Sequence, residues 1–491
     1  MKKLFGLLKI IDNNLIKSLL IGFIFFVPLW PKLPLKMINY TYISIRLDDI
    51  YLGVMTFAFF IQLLRKKVKL NKKFFILFLL FWLAVFLSSF WGILISKTIT
   101  FWHLGILHSL RRVEYMIVFF IALSVIKNKK DFFKLINIYL LSVFLVILYG
   151  FGQKFLNFPA VQTMNPEYAK GYLLYLTPEA RISSTFAGHY DLASYLVFAI
   201  PITLGFYFFT KNKNYLALFI LSLIILIYTS SRISFGAYVI STIGFLIFIR
   251  KYWFTIFVIF LTATLMFATG ELTKRFLKTF QVRRILIDEK TGAVYIGQKI
   301  TTKELPAGSF YIKLKDQKTG AEENLEEFKK QVINEKLKEA TLSGQITKKE
   351  ENIYLSTLSA NLKPVNTVVS DISFATRLQI EWPRAINAFK RNFLLGTGPS
   401  SITEATDNDY LRWLGEIGII GTFLFSLIIY YLLKTVWTTN LINLGFIFSI
   451  GALLINATYI DVFEASKVAY TFWTIAGLFI GYTTLKKQKF N

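Results

Sequence analysis

Residues 214–269 read NYLALFILSLIILIYTSSRISFGAYVISTIGFLIFIRKYWFTIFVIFLTATLMFAT. Across these 56 residues there are three basic side chains, Arg232, Arg250 and Lys251, and no acidic one. Two interruptions, Thr229-Ser-Ser-Arg232 and Arg250-Lys251, divide the stretch into apolar segments at 214–229, 233–250 and 252–269. Roughly 17–25 apolar residues in helical form are needed to cross about 30 Å of hydrocarbon. Each segment is about that long, and the joints are too short for anything but a tight turn. The stretch therefore predicts three successive membrane crossings, which decides the class of the whole chain.

Further segments of the same kind lie on either side, at 16–31, 49–64, 74–95, 112–126, 133–155, 192–209, 411–433, 441–458 and 468–485. The expectation is an all-α polytopic membrane protein of about 12 transmembrane helices, with a small α+β extracytoplasmic insertion. Composition agrees: 55% of the 491 residues are hydrophobic and 17% charged, against 45–50% and about 25% in soluble domains. The N-terminal MKKLFGLLKIIDNN is basic and precedes an apolar run, but no A-x-A-like cleavage site follows. It reads as an uncleaved first helix.

The net charge of +27 would suggest nucleic acid in a soluble protein. Its distribution argues otherwise. Residues 271–410 carry 22 Lys/Arg and 18 Asp/Glu, so +23 of the total lies outside them, mostly in short loops. With both termini cytoplasmic, cytoplasmic segments hold about 22 Lys/Arg and the short external loops about 12. The positive-inside rule then places residues 271–410 outside the membrane. The pattern reflects topology and lipid contact, with no nucleic-acid partner.

The absence of cysteine excludes disulfides, thiol nucleophiles and Cys-ligated metals. Three histidines, His103, His108 and His189, are too few and wrongly spaced for a metal site, and no cofactor is implied.

The chain thus divides into 1–270, the first nine membrane helices; 271–410, the large extracytoplasmic loop; and 411–491, the last three helices. Within the loop, 282–316 alternates apolar and polar residues around Lys290-Thr-Gly and Pro306-Ala-Gly, which predicts short strands and hairpins. Leu325, Phe328, Val332 and Leu337 among Glu and Lys predict an amphipathic helix at 321–341. Together they read as an inserted module at about 282–365. Beyond it Arg377–Phe389 has helical period, with Pro383 starting or kinking the helix, and Gly396–Ser401 is a turn.

Ionisable residues at membrane-helix ends are the first functional candidates. Several fall on the expected external face: Arg232 at a helix junction; Arg181, His189 and Asp191 before another helix; Arg111 and Arg112 opening a third, with Glu114 just inside; and Asp407 and Asn408 opening a fourth. Arg377 and Arg384, seven apart, share one face of a continuous helix. Each also has a plainer reading. An arginine at a helix end snorkels to headgroups, and Asp407 or Asn408 caps a helix. Together, arginines that bind phosphate oxygens bidentately and a carboxylate able to take a proton suit transfer of a sugar from a lipid diphosphate.

The spacing Asp407-Asn408-x9-Gly418-x-x-Gly421 resembles the hallmark of the O-antigen ligase and polymerase superfamily of bacterial membrane glycosyltransferases. Ser230-Ser231-Arg232 and Arg377…Trp382…Ala385…Gly396-x-Gly398 resemble its flanking segments. The resemblance implies a metal-independent enzyme of the bacterial inner (cytoplasmic) membrane. Its implied partners are an undecaprenyl-diphosphate-linked glycan donor, a glycan or lipid-linked acceptor and membrane lipids. By the same analogy Arg232 and Arg377 hold the diphosphate, and Asp407 with Asn408 form the catalytic position. Arg181, Arg384, His189 and Asp191 complete the substrate-binding set. The ligase form of the hallmark begins with His. Asp407 in that place favours a polymerase-like or general glycan-transfer role over joining O-antigen to lipid A core. The competing readings are a transporter of a small anion, which predicts polar residues near the bilayer midplane, and a non-catalytic glycan-binding subunit.

Overall fold

A computed structural model describes residues 2–38, 41, 44–68, 70–163, 168–177, 180–270, 272–273, 280–288, 294–295, 329–330, 333–334, 337, 362–370, 377–402 and 406–487. By internal contacts the chain forms two compact units, Met1–Thr273 with Thr376–Asn491, and Lys274–Ala375.

The first unit is a helical bundle: α1 (Lys2–Leu29), α2 (Leu47–Leu64), α3 (Lys72–Phe90), α4 (Trp102–Val125), α5 (Lys129–Phe155), α6 (His189–Thr210), α7 (Lys213–Tyr228), α8 (Arg232–Phe248), α9 (Tyr252–Thr269), α10 (Trp382–Arg391), α11 (Asp409–Val436), α12 (Leu441–Asn456) and α13 (Ser466–Lys487). A π-turn, Trp91–Ile95, extends α3, and another, Arg377–Glu381, leads into α10. All twelve expected membrane segments are helices, and the thirteenth, α10, is the short amphipathic one. Among the described residues seven are long and apolar enough to cross a membrane by length and composition, four more are shorter apolar helices, and α4 falls in neither group. The protein is an all-α polytopic membrane protein.

The joints fold as the local sequence dictates. Asn71, Asn128, Asn212, Ser231, Asn408 and Asn440 each accept a backbone N–H of the following first turn, which satisfies donors a helix start leaves unpaired. Pro383 sits in the first turn of α10, where its missing N–H costs nothing. It starts that helix.

In α6 and α13, 89% of the apolar span is buried; in α9 it is 17%, with Trp253, Phe260 and Phe267 exposed. The first two form the centre of the bundle and α9 its lipid-facing rim. Small residues let central helices approach closely. A Cβ on Gly445 of α12 would lie 2.5 Å from the Pro201 carbonyl oxygen of α6.

Helix α4 corrects one expectation. It starts at Trp102 rather than at residue 112, so Arg111 and Arg112 lie inside it, buried, instead of snorkelling from its end. Arg111 pairs with Asp49 at 3.1 Å. Arg112 pairs with Glu416 at 2.5 Å and Glu464 at 3.0 Å. The ten residues before Arg111 hold two histidines, a glycine and a serine, so their hydropathy was too low to be read as membrane helix.

In the second unit β1 (Phe280–Asp288) pairs antiparallel with β2 (Val294–Tyr295) and with β3 (Leu362–Ser370), in the order β2-β1-β3. Leu286 pairs with Tyr295 and Ile287 with Val294; the turn expected at Lys290-Thr-Gly lies outside the described residues. The strands expected at 296–316 and most of the helix expected at 321–341 lie outside the described residues. Within that helix, residues 329, 330, 333, 334 and 337 are helical.

Candidate functional site

The hallmark glycine governs the local chain path. Gly418 has φ +62° and ψ −168° inside α11, a non-helical conformation that breaks the ladder there. In a regular helix the N–H groups of Ile419 and Ile420 would donate to the carbonyls of Gly415 and Glu416. Here they donate instead to Phe393 (2.8 Å) and Leu394 (3.2 Å), while Gly415 and Glu416 accept from Thr397 (2.9 Å) and Gly398 (2.9 Å). The expected turn at Gly396–Ser401 is thus laced into the helix break. Gly396, at φ +72°, lies so near that a Cβ there would sit 2.5 Å from the Glu416 carbonyl carbon.

This clasp holds the π-turn and α10 beside the start of α11. Arg377 pairs with Asp407, Nη2 to Oδ2 2.5 Å. The guanidinium lies 4.3 Å from the ring centre of Tyr459 and 5.6 Å from that of Tyr190, held between two aromatic faces. Arg232, first residue of α8, is close enough to act electrostatically on the Tyr459 hydroxyl. Ser231 caps its helix, and Ser230 before it has φ +51°. Arg181 Nη1 lies 2.6 Å from His189 Nε2, and Arg377 acts on the same imidazole. The loop carrying Arg181 is pinned from below. The Lys467 ammonium donates to the Thr185 carbonyl at 2.7 Å, and Gln153 accepts from Ser184 N–H at 2.7 Å. Arg181, His189, Arg232, Arg377 and Asp407, from four separate stretches of sequence, therefore converge.

Asp407 itself sits at φ +51°, a left-handed conformation that Asp tolerates better than most side chains. Its backbone is held by Asp461. That carboxylate accepts N–H bonds from Thr406 (2.9 Å), Asp407 (3.1 Å) and Asn408 (3.0 Å), and pairs with Arg412 at 2.8 Å. Arg412 also faces Glu416 at 3.6 Å, whose other oxygen meets Arg112. A chain of buried ion pairs thus runs from α4 through α11 to the backbone of the hallmark. Glu464 belongs to it: burial pushes its carboxyl up, but Arg112 and then Arg412 outweigh that and hold it below the usual range.

Burial raises the Asp407 carboxyl to about 7, against the pull of Arg377 and helped by the neighbouring Asp461 charge. The Tyr459 phenol is likewise raised by burial, against Arg377 and Arg232. A carboxyl near neutrality beside a cationic cluster can exist in both protonation states under working conditions, as proton transfer requires.

Other expected residues have different duties. Asn408 is the helix cap: its side-chain oxygen accepts from Leu411 N–H at 3.0 Å and its amide donates to the Thr458 carbonyl at 2.9 Å. Both ends of the amide are used structurally, and the cap reading belongs to Asn408 rather than Asp407. Asp191 faces Lys32 at 3.7 Å. Arg384 departs from expectation. The change from π-turn to α-helix between Arg377 and Arg384 breaks the single helical face, and Arg384 lines a separate cavity.

Tyr190, Tyr459 and Asp461 were not anticipated from the sequence. Asp461 and Glu464 carried a usable signal, two carboxylates in a short connection between apolar helices. Arg412 and Glu416 carried another, an i,i+4 pair of opposite charges inside an apolar span.

No curated protein sequence matches the chain. Residues 217–426, which run from α7 into α11 and include Arg232, Arg377, Asp407, Gly418 and Gly421, match the family model described as O-Antigen ligase. Over those residues the chain is similar to the O-antigen ligase family, and that likeness falls on the part of its multi-pass helical fold that carries the Arg377–Asp407 site.

Proposed function

We propose that the protein transfers a glycan from an undecaprenyl-diphosphate-linked donor to a hydroxyl of an acceptor sugar, without a metal, on the extracytoplasmic face of the membrane. The observation that carries the reading is the Arg377–Asp407 pair at 2.5 Å beside Arg232, Arg181 and His189. Guanidinium groups are matched to diphosphate oxygens. Arrival of the diphosphate gives Arg377 a new anionic partner and releases the Asp407 carboxylate. The acceptor O–H then attacks the anomeric carbon. The bond from that carbon to the diphosphate oxygen breaks, its electron pair leaves with the diphosphate, and the acceptor proton passes to Asp407. The arginines balance the charge growing on the leaving group. The base would otherwise be sought among His189, Asp191 and Asp409. Each is held by a partner other than Arg377, the residue the diphosphate draws off Asp407: His189 by Arg181, Asp191 by Lys32, and Asp409 by the N–H of Phe463 at 3.1 Å.

Asp in the first hallmark position favours polymerase-like chain extension over ligation to a lipid A core. Three substitutions test the reading in reconstituted membranes, with release of polyprenyl diphosphate as the readout. Asp407→Asn should slow transfer about 10²–10⁴-fold, the usual contribution of a general base, because the helix cap resides on Asn408 and stays intact. Arg377→Lys and Arg232→Lys should lose most transfer and the co-purified polyprenyl diphosphate while expressing normally. Near wild-type turnover in Asp407→Asn would remove the base, and in both lysine variants the donor site.

A further inference from the structure

Helix α10 carries a second feature on another face. A cavity of about 400 Å³ has a polar wall of Arg384, Asn387 and Arg391 of α10 with Thr98, Thr397 and Ser401, and four apolar residues, Ile380, Pro383, Ala388 and Ile402, complete its lining. The volume lies within the range of small-molecule sites, about 300–1,000 Å³. Its wall is preformed: Thr98 Oγ1 donates to the Thr397 carbonyl at 2.5 Å, Thr397 and Ser401 share a hydroxyl contact at 2.6 Å, and Thr397 is part of the clasp on the α11 break. Arg384, Asn387 and Arg391 are exposed. Among the described residues no carboxylate stands within ion-pair distance of either arginine. Glu381, partly buried one turn before Arg384, is within electrostatic reach of both Arg377 and Arg384.

We propose that this cavity is a second, anion-selective site that receives an acidic oligosaccharide, the acceptor strand, while the donor diphosphate occupies the Arg377 cluster. The acceptor role rests on the glycan-transfer reading; the anion site itself does not. Three observations favour a glycan over a phospholipid headgroup. Arg384 and Arg391 are seven residues apart, hence on one face and about 10 Å apart along the axis. That spacing spreads charge along an extended ligand more readily than around one phosphate. The cavity adds hydroxyl and amide groups from Thr98, Thr397, Ser401 and Asn387, which are partners for sugar hydroxyls. Ile386 and Phe389, the apolar stripe of α10, lie about 200° around the helix from Arg384 and Arg391 respectively. The arginines therefore lie on the side of α10 away from that stripe, and the apolar groups beside them are the smaller Pro383 and Ala388 with Ile380 and Ile402.

The test uses the full-length protein in lipid nanodiscs, with trigalacturonate as acidic probe and maltotriose as neutral control. The expected result is at least tenfold tighter binding of trigalacturonate. Arg384→Gln/Arg391→Gln should abolish that preference without loss of co-purified polyprenyl diphosphate, and Arg384→Lys/Arg391→Lys should restore part of it. In transfer assays the glutamine variant should raise KM for an acidic acceptor about tenfold or more with kcat little changed. Equal binding of the two sugars by the wild type, or a preference that survives in the glutamine variant, overturns the proposal. So does a variant that loses only affinity for phosphatidylglycerol vesicles, since the cavity then holds a headgroup. Retention of polyprenyl diphosphate by Arg377→Lys would sink the donor site and leave the acidic-sugar preference standing, so the two failures are distinguishable.

Discussion

Gly418→Ala is the most informative single change in the hallmark. At φ +62°, ψ −168° the backbone is in a region open essentially to glycine alone, and strain for another residue there is about 1–3 kcal/mol. The new Cβ would also stand 2.3 Å from the Leu394 carbonyl oxygen and 2.4 Å from its carbon, which are backbone atoms with little freedom to yield. There are two escapes. Residues 393–394 withdraw, which breaks the bonds from Ile419 and Ile420, or α11 straightens and Ile419 and Ile420 reclaim Gly415 and Glu416, which evicts Thr397 and Gly398. Either route loses two backbone hydrogen bonds, about 0.5–1.5 kcal/mol each. The expected destabilisation is about 2–6 kcal/mol if residues 393–394 withdraw and the strained backbone stays, and about 1–3 kcal/mol if α11 straightens and relieves it. It can be measured by unfolding the purified protein in mixed micelles with tryptophan fluorescence as the signal. Gly396→Ala strikes the same clasp from the other side. The double variant should therefore cost less than the sum of the two, with a coupling of about 0.5–3 kcal/mol. A Gly418→Ala protein within about 1 kcal/mol of wild type, or strictly additive costs, would refute the clasp.

The raised Asp407 carboxyl predicts that transfer rises about tenfold per pH unit up to about pH 7 and then levels, and that this limb disappears in Asp407→Asn; a pH–rate profile decides it. The same shift carries a stability sign. The folded protein holds this proton more tightly than the unfolded chain, so Asp407 contributes nothing below about pH 4, and its contribution becomes increasingly destabilising as pH rises to about 7. Asp461→Asn keeps one acceptor but removes the charge that three N–H groups and Arg412 share. It should cost about 2–4 kcal/mol and lower kcat with donor retention intact, whereas unchanged kcat would confine Asp461 to a structural role. Because the chain lacks cysteine, Lys318→Cys gives a single label site. A membrane-impermeant maleimide should modify it in intact cells with the outer envelope permeabilised, and labelling only after inner-membrane lysis would reverse the topology.

Hydropathy along the chain was enough to find twelve helices, because crossing hydrocarbon is a demand each helix meets with its own residues. The same locality made Ser231, Pro383 and the turn at Gly396 legible, and motif spacing pointed to Arg232, Arg377 and Asp407. Charge inside the bundle followed no such rule. Arg111 and Arg112 looked like helix-end residues because their partners, Asp49, Glu416 and Glu464, are remote in sequence. Asp461 and Tyr459 became visible only when the turn between α12 and α13 folded against the start of α11. Arg384 left the expected face because one π-turn rotated it away, and Asn408 took the cap that Asp407 shared on paper. A membrane helix is specified by its own hydropathy. A buried ion pair is specified by which two distant side chains the packed helices bring within reach, and only the tertiary structure decided that.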